Sequence, residues 1–182
     1  PTEASTTLAP VRQGPKLLKG SEHGVGRYVG DLEFTDLAGE KHRLSQWHER
    51  RAVAVCMTST TCPLSKKYLP TLAELAKKYG PRGVQFVMVN TVATDDLAQM
   101  KQAASEFPTE VVYVPDGDGK TAHGVGAKST TDVIVLDASR TVVYHGAVDD
   151  QYGFGYSLDA PKHPYLADAL DAVLAGHAPL VA

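Results

Sequence analysis

AVCMTSTTCPLSKKYLPTL, Ala54 to Leu72, runs from an apolar segment through the hydroxyl residues Thr58, Ser59, Thr60 and Thr61 into a Cys-Pro step and an amphipathic segment. The apolar part, AVAVCM from Ala52 to Met57, is short and unbroken, the pattern of a strand buried on both faces. Downstream, Leu64, Tyr68, Leu69, Leu72, Leu75, Ala76 and Tyr79 recur at helical spacing. A helix over Pro63 to Tyr79 is therefore predicted, ending near Gly80-Pro81. Cys62 then falls at its N-cap and Pro63 at its first position, where a missing N–H removes no helical bond.

That placement has a chemical consequence. Unpaired amide N–H groups and the helix dipole favour a thiolate over a thiol, so a cysteine at a helix start titrates below the ordinary thiol value of about 8.5. Ser59 and Thr61, with the neighbouring threonines, are candidates to hold the thiolate or an incoming oxygen. No His or Arg adjoins Cys62 in sequence, so activation rests on the helix end. The competing reading is a small buried residue that follows a strand. Cys56, inside the strand, reads as a core residue, with a resolving role as the alternative. A bridge between them needs Cα atoms within about 7 Å, which a strand running straight into a helix does not readily supply.

Working outward, GVQFVMVN ends in a second buried strand, Val84 to Asn90. Asp95 to Ser105 is predicted as a helix with Leu97 and Met100 inward, and Val111 to Val114 as a short strand. DVIVLD and TVVYHG flank a tight connection at Ala138 to Arg140, an antiparallel hairpin, and Tyr165 to Leu174 forms a last helix. Before the core, LEFTDLAGEKHRL reads as a hairpin turning at Gly39, followed by a helical turn at SQWHER. Residues 1–30, with Pro1, Pro10 and Pro15 among scattered glycines, read as an extended arm, leaving 31–182 as one domain. Helices between buried strands imply an α/β fold with a parallel core, and the late hairpin adds an antiparallel edge to a mixed sheet.

The composition narrows the partners. The net charge is -3, and no run of Lys or Arg exceeds two residues, so no nucleic-acid partner is indicated. No apolar run approaches the roughly 20 residues that span a bilayer. The chain begins at Pro1 without an initiator Met, as expected of a processed product whose export signal would leave no trace. Two cysteines six positions apart make no disulfide scaffold, which points them to local chemistry.

TSTTCPLSKKYLP, YGPRGVQFVMVN and DVIVLDASRTVVYHG together carry a resemblance. From about Gly30 to Gly176 the chain resembles the thioredoxin-like redoxins, the group that includes peroxiredoxins of the alkyl hydroperoxide reductase and thiol-specific antioxidant type. Pro70 looks like the kinking proline of the thioredoxin first helix, and the segment from Val142 to Gly176 is similar to bacterial redoxin-domain proteins, which are often exported. The resemblance implies a thioredoxin-like fold and thiol redox chemistry at Cys62, with a peroxide or disulfide substrate, an external thiol reductant, no cofactor and a periplasmic or otherwise exported location.

The departures are as informative. Where thioredoxins carry a second cysteine this chain has Ser65, giving a monothiol CPLS motif that excludes a dithiol cycle within it. The position of the thioredoxin cis-proline corresponds to Thr131, which the resemblance makes a candidate facing Cys62. Peroxiredoxins match in Ser59 three residues before Cys62, but they carry a proline where Val55 stands and an Arg where Lys128 is the nearest cation, Arg140 lying at the far hairpin turn. Resemblance to copper chaperones of the Sco type implies an alternative in which copper is held by Cys62, Cys56 and His145. His123 and His163 have no metal-demanding spacing. The loop GAVDDQYGFGYSLD reads as a packed loop whose aspartates cap turns, with a substrate-contacting lid or weak cation site as the alternative.

Overall fold

The computed structural model describes residues 19–181. Strand β1 (Glu33–Thr35) pairs antiparallel with β2 (Lys41–Arg43), and a 3-10 turn at Leu44–Trp47 leads into β3 (Ala52–Thr58). Helix α1 (Pro63–Tyr79), β4 (Val84–Asn90), α2 (Leu97–Ser105), β5 (Val112–Pro115) and α3 (Lys120–Val125) follow. The hairpin of β6 (Val133–Asp137) and β7 (Val142–Gly146) precedes two short strands, β8 (Tyr152–Gly153) and β9 (Tyr156–Ser157), and α4 (Tyr165–Leu174).

The central sheet has five strands in the order β5-β4-β3-β6-β7, with β3, β4 and β5 parallel and β6 and β7 antiparallel. All seven residues of β3 are buried because both faces are covered. Ala52, Ala54 and Cys56 share the layer of Tyr68, Leu72, Tyr79, Leu166 and Leu170 from α1 and α4. Val53, Val55 and Met57 point the other way, into the layer of Val29, Phe34, Leu44 and Val125. The mixed α/β architecture expected from the sequence is the one found.

Three segments differ from the sequence expectation. The second helix starts two residues later than Asp95, at Leu97, because Asp96 is its N-cap and accepts from the amides of Ala98 and Gln99 at 2.8 and 3.1 Å. Leu97, expected inward, is 57% exposed; Met100 and Phe107 take the sheet-facing side, with Ala103 and Ala104 packed against them. Helix α3 has no counterpart among the elements expected from the sequence; it is nucleated by Asp116, whose carboxylate accepts from Thr121 N and Ala122 N at 2.9 Å each. The arm through residue 18 lies outside the described residues. Its continuation joins the domain: Tyr28 bridges to Thr141, and Val29 is fully buried.

The acidic loop holds the small β8–β9 hairpin, and its aspartates act as caps. Asp149 accepts from the Tyr68 hydroxyl and Gln151 N at 2.8 Å each. Asp150 accepts from Lys162 N and His163 N and pairs with His163 Nδ1 at 2.7 Å.

Candidate active site

Parallel pairing of β3 with β4 puts Thr58 beside Asn90, so the turn Ser59–Thr61 meets the loop that follows β4 at one end of the sheet. The turn is organised by a carboxylate that sequence reasoning did not single out, Asp95. Its Oδ2 accepts from Ser59 Oγ at 2.9 Å, Thr60 N at 2.6 Å and Asn90 Nδ2 at 2.9 Å, and its Oδ1 accepts from Thr61 Oγ1 at 2.6 Å. Burial raises the carboxyl pKa, but these four bonds outweigh it and hold the group well below the usual carboxylate range. Ser59 and Thr61 therefore spend their hydroxyl protons on Asp95. Ser59 Oγ in turn accepts from the backbone N–H of Cys62 at 3.0 Å, which fixes the residue before the helix.

Cys62 is the N-cap of α1, in extended conformation (φ −72°, ψ 117°), with Pro63 next. It is partly exposed and unpaired. Partial burial pushes its thiol up; a hydrogen bond from the Thr130 hydroxyl and the amides of Ser65 and Leu64 outweigh that and leave the pKa below its ordinary value. The hydroxyl at the sulfur belongs to Thr130, with Oγ1 to Sγ at 3.4 Å. Thr131, the residue aligned with the thioredoxin proline, instead faces Ser129 Oγ at 3.4 Å, so the contact is displaced by one residue from the expectation. No cis peptide bond occurs among the described residues.

Ser65 has a positive role. Its hydroxyl donates to the Thr130 carbonyl at 2.6 Å while Thr130 donates to Cys62, so the position of a second thiol carries half of a two-bond staple between α1 and the loop before β6. That loop is anchored from below by Asp132, which accepts from Lys128 N, Ser129 N and Ser129 Oγ and faces His145 Nε2 at 3.1 Å.

Cys56 lies in the middle of β3 between Met88 and Val133, fully buried, with its thiol pushed up to about 12 by desolvation. It is a poor source of thiolate. His145 has both ring nitrogens engaged, Nδ1 by the His23 carbonyl at 2.8 Å and Nε2 by Asp132. Among the described residues no three His, Cys, Asp or Glu side chains converge to hold a metal ion, so Cys62, Cys56 and His145 are not gathered as a ligand set. Arg140 is held at the far hairpin turn by Asp31 at 3.1 Å and by Tyr28, away from the sulfur's donors.

Five-stranded mixed sheet, Cys-Pro helix start and late hairpin together define a thioredoxin-like domain. Residues 24–157 match the Redoxin family, and the chain belongs to it. Among solved structures it is similar to an uncharacterized conserved protein from Geobacillus kaustophilus, at 24% identity and TM-score 0.76, covering 94% of this chain and 90% of that one. A hypothetical protein from Sinorhizobium meliloti gives 23% identity and TM-score 0.76, with 91% and 90% covered. Peroxidoxin BcpB from Mycobacterium tuberculosis gives 21% identity and TM-score 0.59, with 84% and 97% covered. At these identities the likeness is one of fold. No curated protein matches the chain.

Proposed function

We propose that the chain is a one-cysteine thiol oxidoreductase, in which the Cys62 thiolate attacks an electrophilic sulfur or peroxide oxygen and is regenerated by an external thiol. The observation that carries this reading is the setting of Sγ: a partly exposed thiol at the start of α1 that accepts from the Thr130 hydroxyl at 3.4 Å, where that bond and the nearby helix-start amides lower the thiol pKa. Membership of the Redoxin family supports thiol-based redox function in general.

For a disulfide RSSR′ the steps balance without a second protein thiol. The Cys62 thiolate forms a bond to one sulfur as the S–S bond breaks and R′S⁻ leaves. An external thiolate then attacks the R sulfur, and Cys62 departs as thiolate. A peroxide would instead leave a sulfenate on Cys62, releasing an alcohol or water, and two external thiols would complete the reduction. Disulfide exchange fits the site better. Peroxide cleavage asks for donors aimed at the departing oxygen; Ser59 and Thr61 are committed to Asp95, and Arg140 to Asp31.

The test is pH-dependent alkylation of the purified protein, with modification of each cysteine located by mass spectrometry, then challenge with a small disulfide and with hydrogen peroxide. Cys62 is expected to titrate below an ordinary thiol and to form a mixed disulfide that external thiol releases, with Cys56 unmodified. A Cys62 that titrates and reacts like a free thiol overturns the proposal. Stoichiometric Cu(I) binding lost in Cys62→Ser would replace it with metal binding.

A further inference from the structure

Beside Cys62 lies an open groove of about 290 Å³, bounded by Met57, Thr91, His123, Lys128, Ser129 and Thr130. Thr130 is shared: it lines the groove and its hydroxyl donates to Cys62 Sγ, so whatever occupies the groove sits one residue from the reacting atom. Met57, 3% exposed, belongs to the apolar layer beneath. At roughly 30 Å³ per water, the space holds about ten waters or one half of a small disulfide.

The charges around the groove are unevenly matched. Asp118 is paired with Lys120 at 2.8 Å. Asp116 is buried and caps α3, while Asp132 is taken up by His145 and by the loop amides. Lys128 and His123 line the same groove, and neither takes part in an ion pair among the described residues. On a chain of net charge -3, a groove that opens beside the thiolate therefore presents the Lys128 ammonium, whose neighbouring carboxylates are already satisfied.

We propose that this groove receives one half of a small carboxylate-bearing disulfide, the half whose sulfur Cys62 attacks, with Lys128 as the residue that selects for negative charge. The inference rests on Cys62 acting as the exchange nucleophile, and it adds the substrate class. The carboxylate meets Lys128 while the adjacent sulfur meets Cys62. In the balanced exchange already given, the half that becomes bonded to Cys62 lies in the groove and the other half leaves as thiolate.

The experiment compares two probe disulfides on the full chain: anionic dithiobis-nitrobenzoate and neutral dithiodipyridine, each followed by its released chromophore, with Cys62→Ser as background. The quantity read is the ratio of anionic to neutral second-order rate constants. One unit charge a few ångströms away in a water-like medium is worth about fivefold, and reversing it about tenfold or more. Lys128→Glu is expected to lower the ratio about tenfold and Lys128→Ala about three- to fivefold. Lys101→Glu, the same change in net charge on exposed α2, is expected to shift it less than twofold. Raising salt from about 20 to 500 mM should lower the ratio in the parent chain and leave it nearly flat in Lys128→Ala. Equal ratios in the parent and Lys128→Glu overturn the groove assignment while fast reaction with the neutral probe preserves Cys62 as the nucleophile. If neither probe reacts faster at Cys62 than with a free thiol, the nucleophile reading fails and the groove proposal falls with it.

Discussion

Replacing Asp95 tests whether the turn before Cys62 is held by one buried carboxylate. In Asp95→Ala four donors lose their acceptor: Thr60 N, Asn90 Nδ2 and the hydroxyls of Ser59 and Thr61. The hydroxyls can turn to each other, since their oxygens lie 3.2 Å apart, but the two amide donors cannot be redirected. Each buried donor left unpaired costs about 1–3 kcal/mol, and removing a buried charge relieves part of that. The net expectation is a loss of about 3–4 kcal/mol in urea unfolding at neutral pH, a large share of the 5–15 kcal/mol typical of a domain. Asp95→Asn keeps an oxygen at the position that takes three of the four bonds, and its amide can donate to the Thr61 hydroxyl. It forfeits mainly charge assistance, about 1–2 kcal/mol. The pH dependence has a fixed sign. A carboxyl held below its unfolded value contributes stability that is full above about pH 4 and is lost as pH falls through the lower folded value. The gap between the parent and Asp95→Ala should therefore narrow in acid. An alanine variant losing less than about 1 kcal/mol, or an asparagine variant losing more than alanine, would refute the reasoning.

Three further outcomes follow from the geometry. Thr130→Val removes the hydroxyl at Sγ; the alkylation midpoint of Cys62 should move up, and the rate at pH 7 should fall about fivefold, the worth of one hydrogen bond of about 1 kcal/mol. Ser65→Cys breaks the 2.6 Å bond to the Thr130 carbonyl and supplies a thiol one helical turn from Cys62. Mild oxidation should then consume two thiols per chain without external reductant, with about 1 kcal/mol lost from the reduced form; a thiol count unchanged by oxidation would contradict it. His145 is raised above its ordinary pKa by the hydrogen bond it donates to the Asp132 carboxylate, burial opposing. A raised folded pKa contributes stability that is full below about pH 6.5 and is lost as pH rises through the folded value. The stability difference between the parent and His145→Gln, read by denaturation, should thus shrink above that pH.

The main framework was legible because each core element carries its own period. The unbroken apolar run of β3, the helical spacing of α1 and the paired runs of β6 and β7 each encode local structure, and their order encodes the crossovers. The place of Cys62 at the N-cap of α1 was legible for the same reason, since a helix start is a local feature. Asp95 was not, because its importance comes from register: only when Thr58 pairs with Asn90 does the loop after β4 reach the Ser59–Thr61 turn. A signal existed in Asn90 and Asp95 following a parallel strand, at the carboxyl end where such folds gather their sites. The Thr130 contact was missed by one residue because alignment to a proline position says nothing about which neighbouring side chain turns toward the sulfur. Leu97 illustrates the reverse case, an apolar residue at helical spacing that the cap at Asp96 leaves outside the packed face.

Both loops that meet at Cys62 are thus held by buried or partly buried carboxylates, Asp95 under the turn and Asp132 under the loop that carries Thr130. Neither carboxylate acts on the sulfur directly: Asp132 fixes the loop whose Thr130 hydroxyl does, and Asp95 fixes the turn whose Ser59 Oγ holds the Cys62 backbone N–H. The groups that favour the thiolate are the Thr130 hydroxyl, which donates to Sγ, and the amide dipoles of the helix start, which salt screens far less than it screens a pair of exposed charges. The thiolate is therefore set by preorganised dipoles and should titrate almost independently of ionic strength, whereas capture of an anionic disulfide by Lys128 should not. Ser65 completes the division of labour. A second thiol there would end each exchange within the chain, while its hydroxyl instead ties α1 to the Thr130 loop. With Cys56 sealed in the sheet at a thiol pKa of about 12, the proposed exchange predicts that release of a mixed disulfide depends on the concentration of an outside thiol.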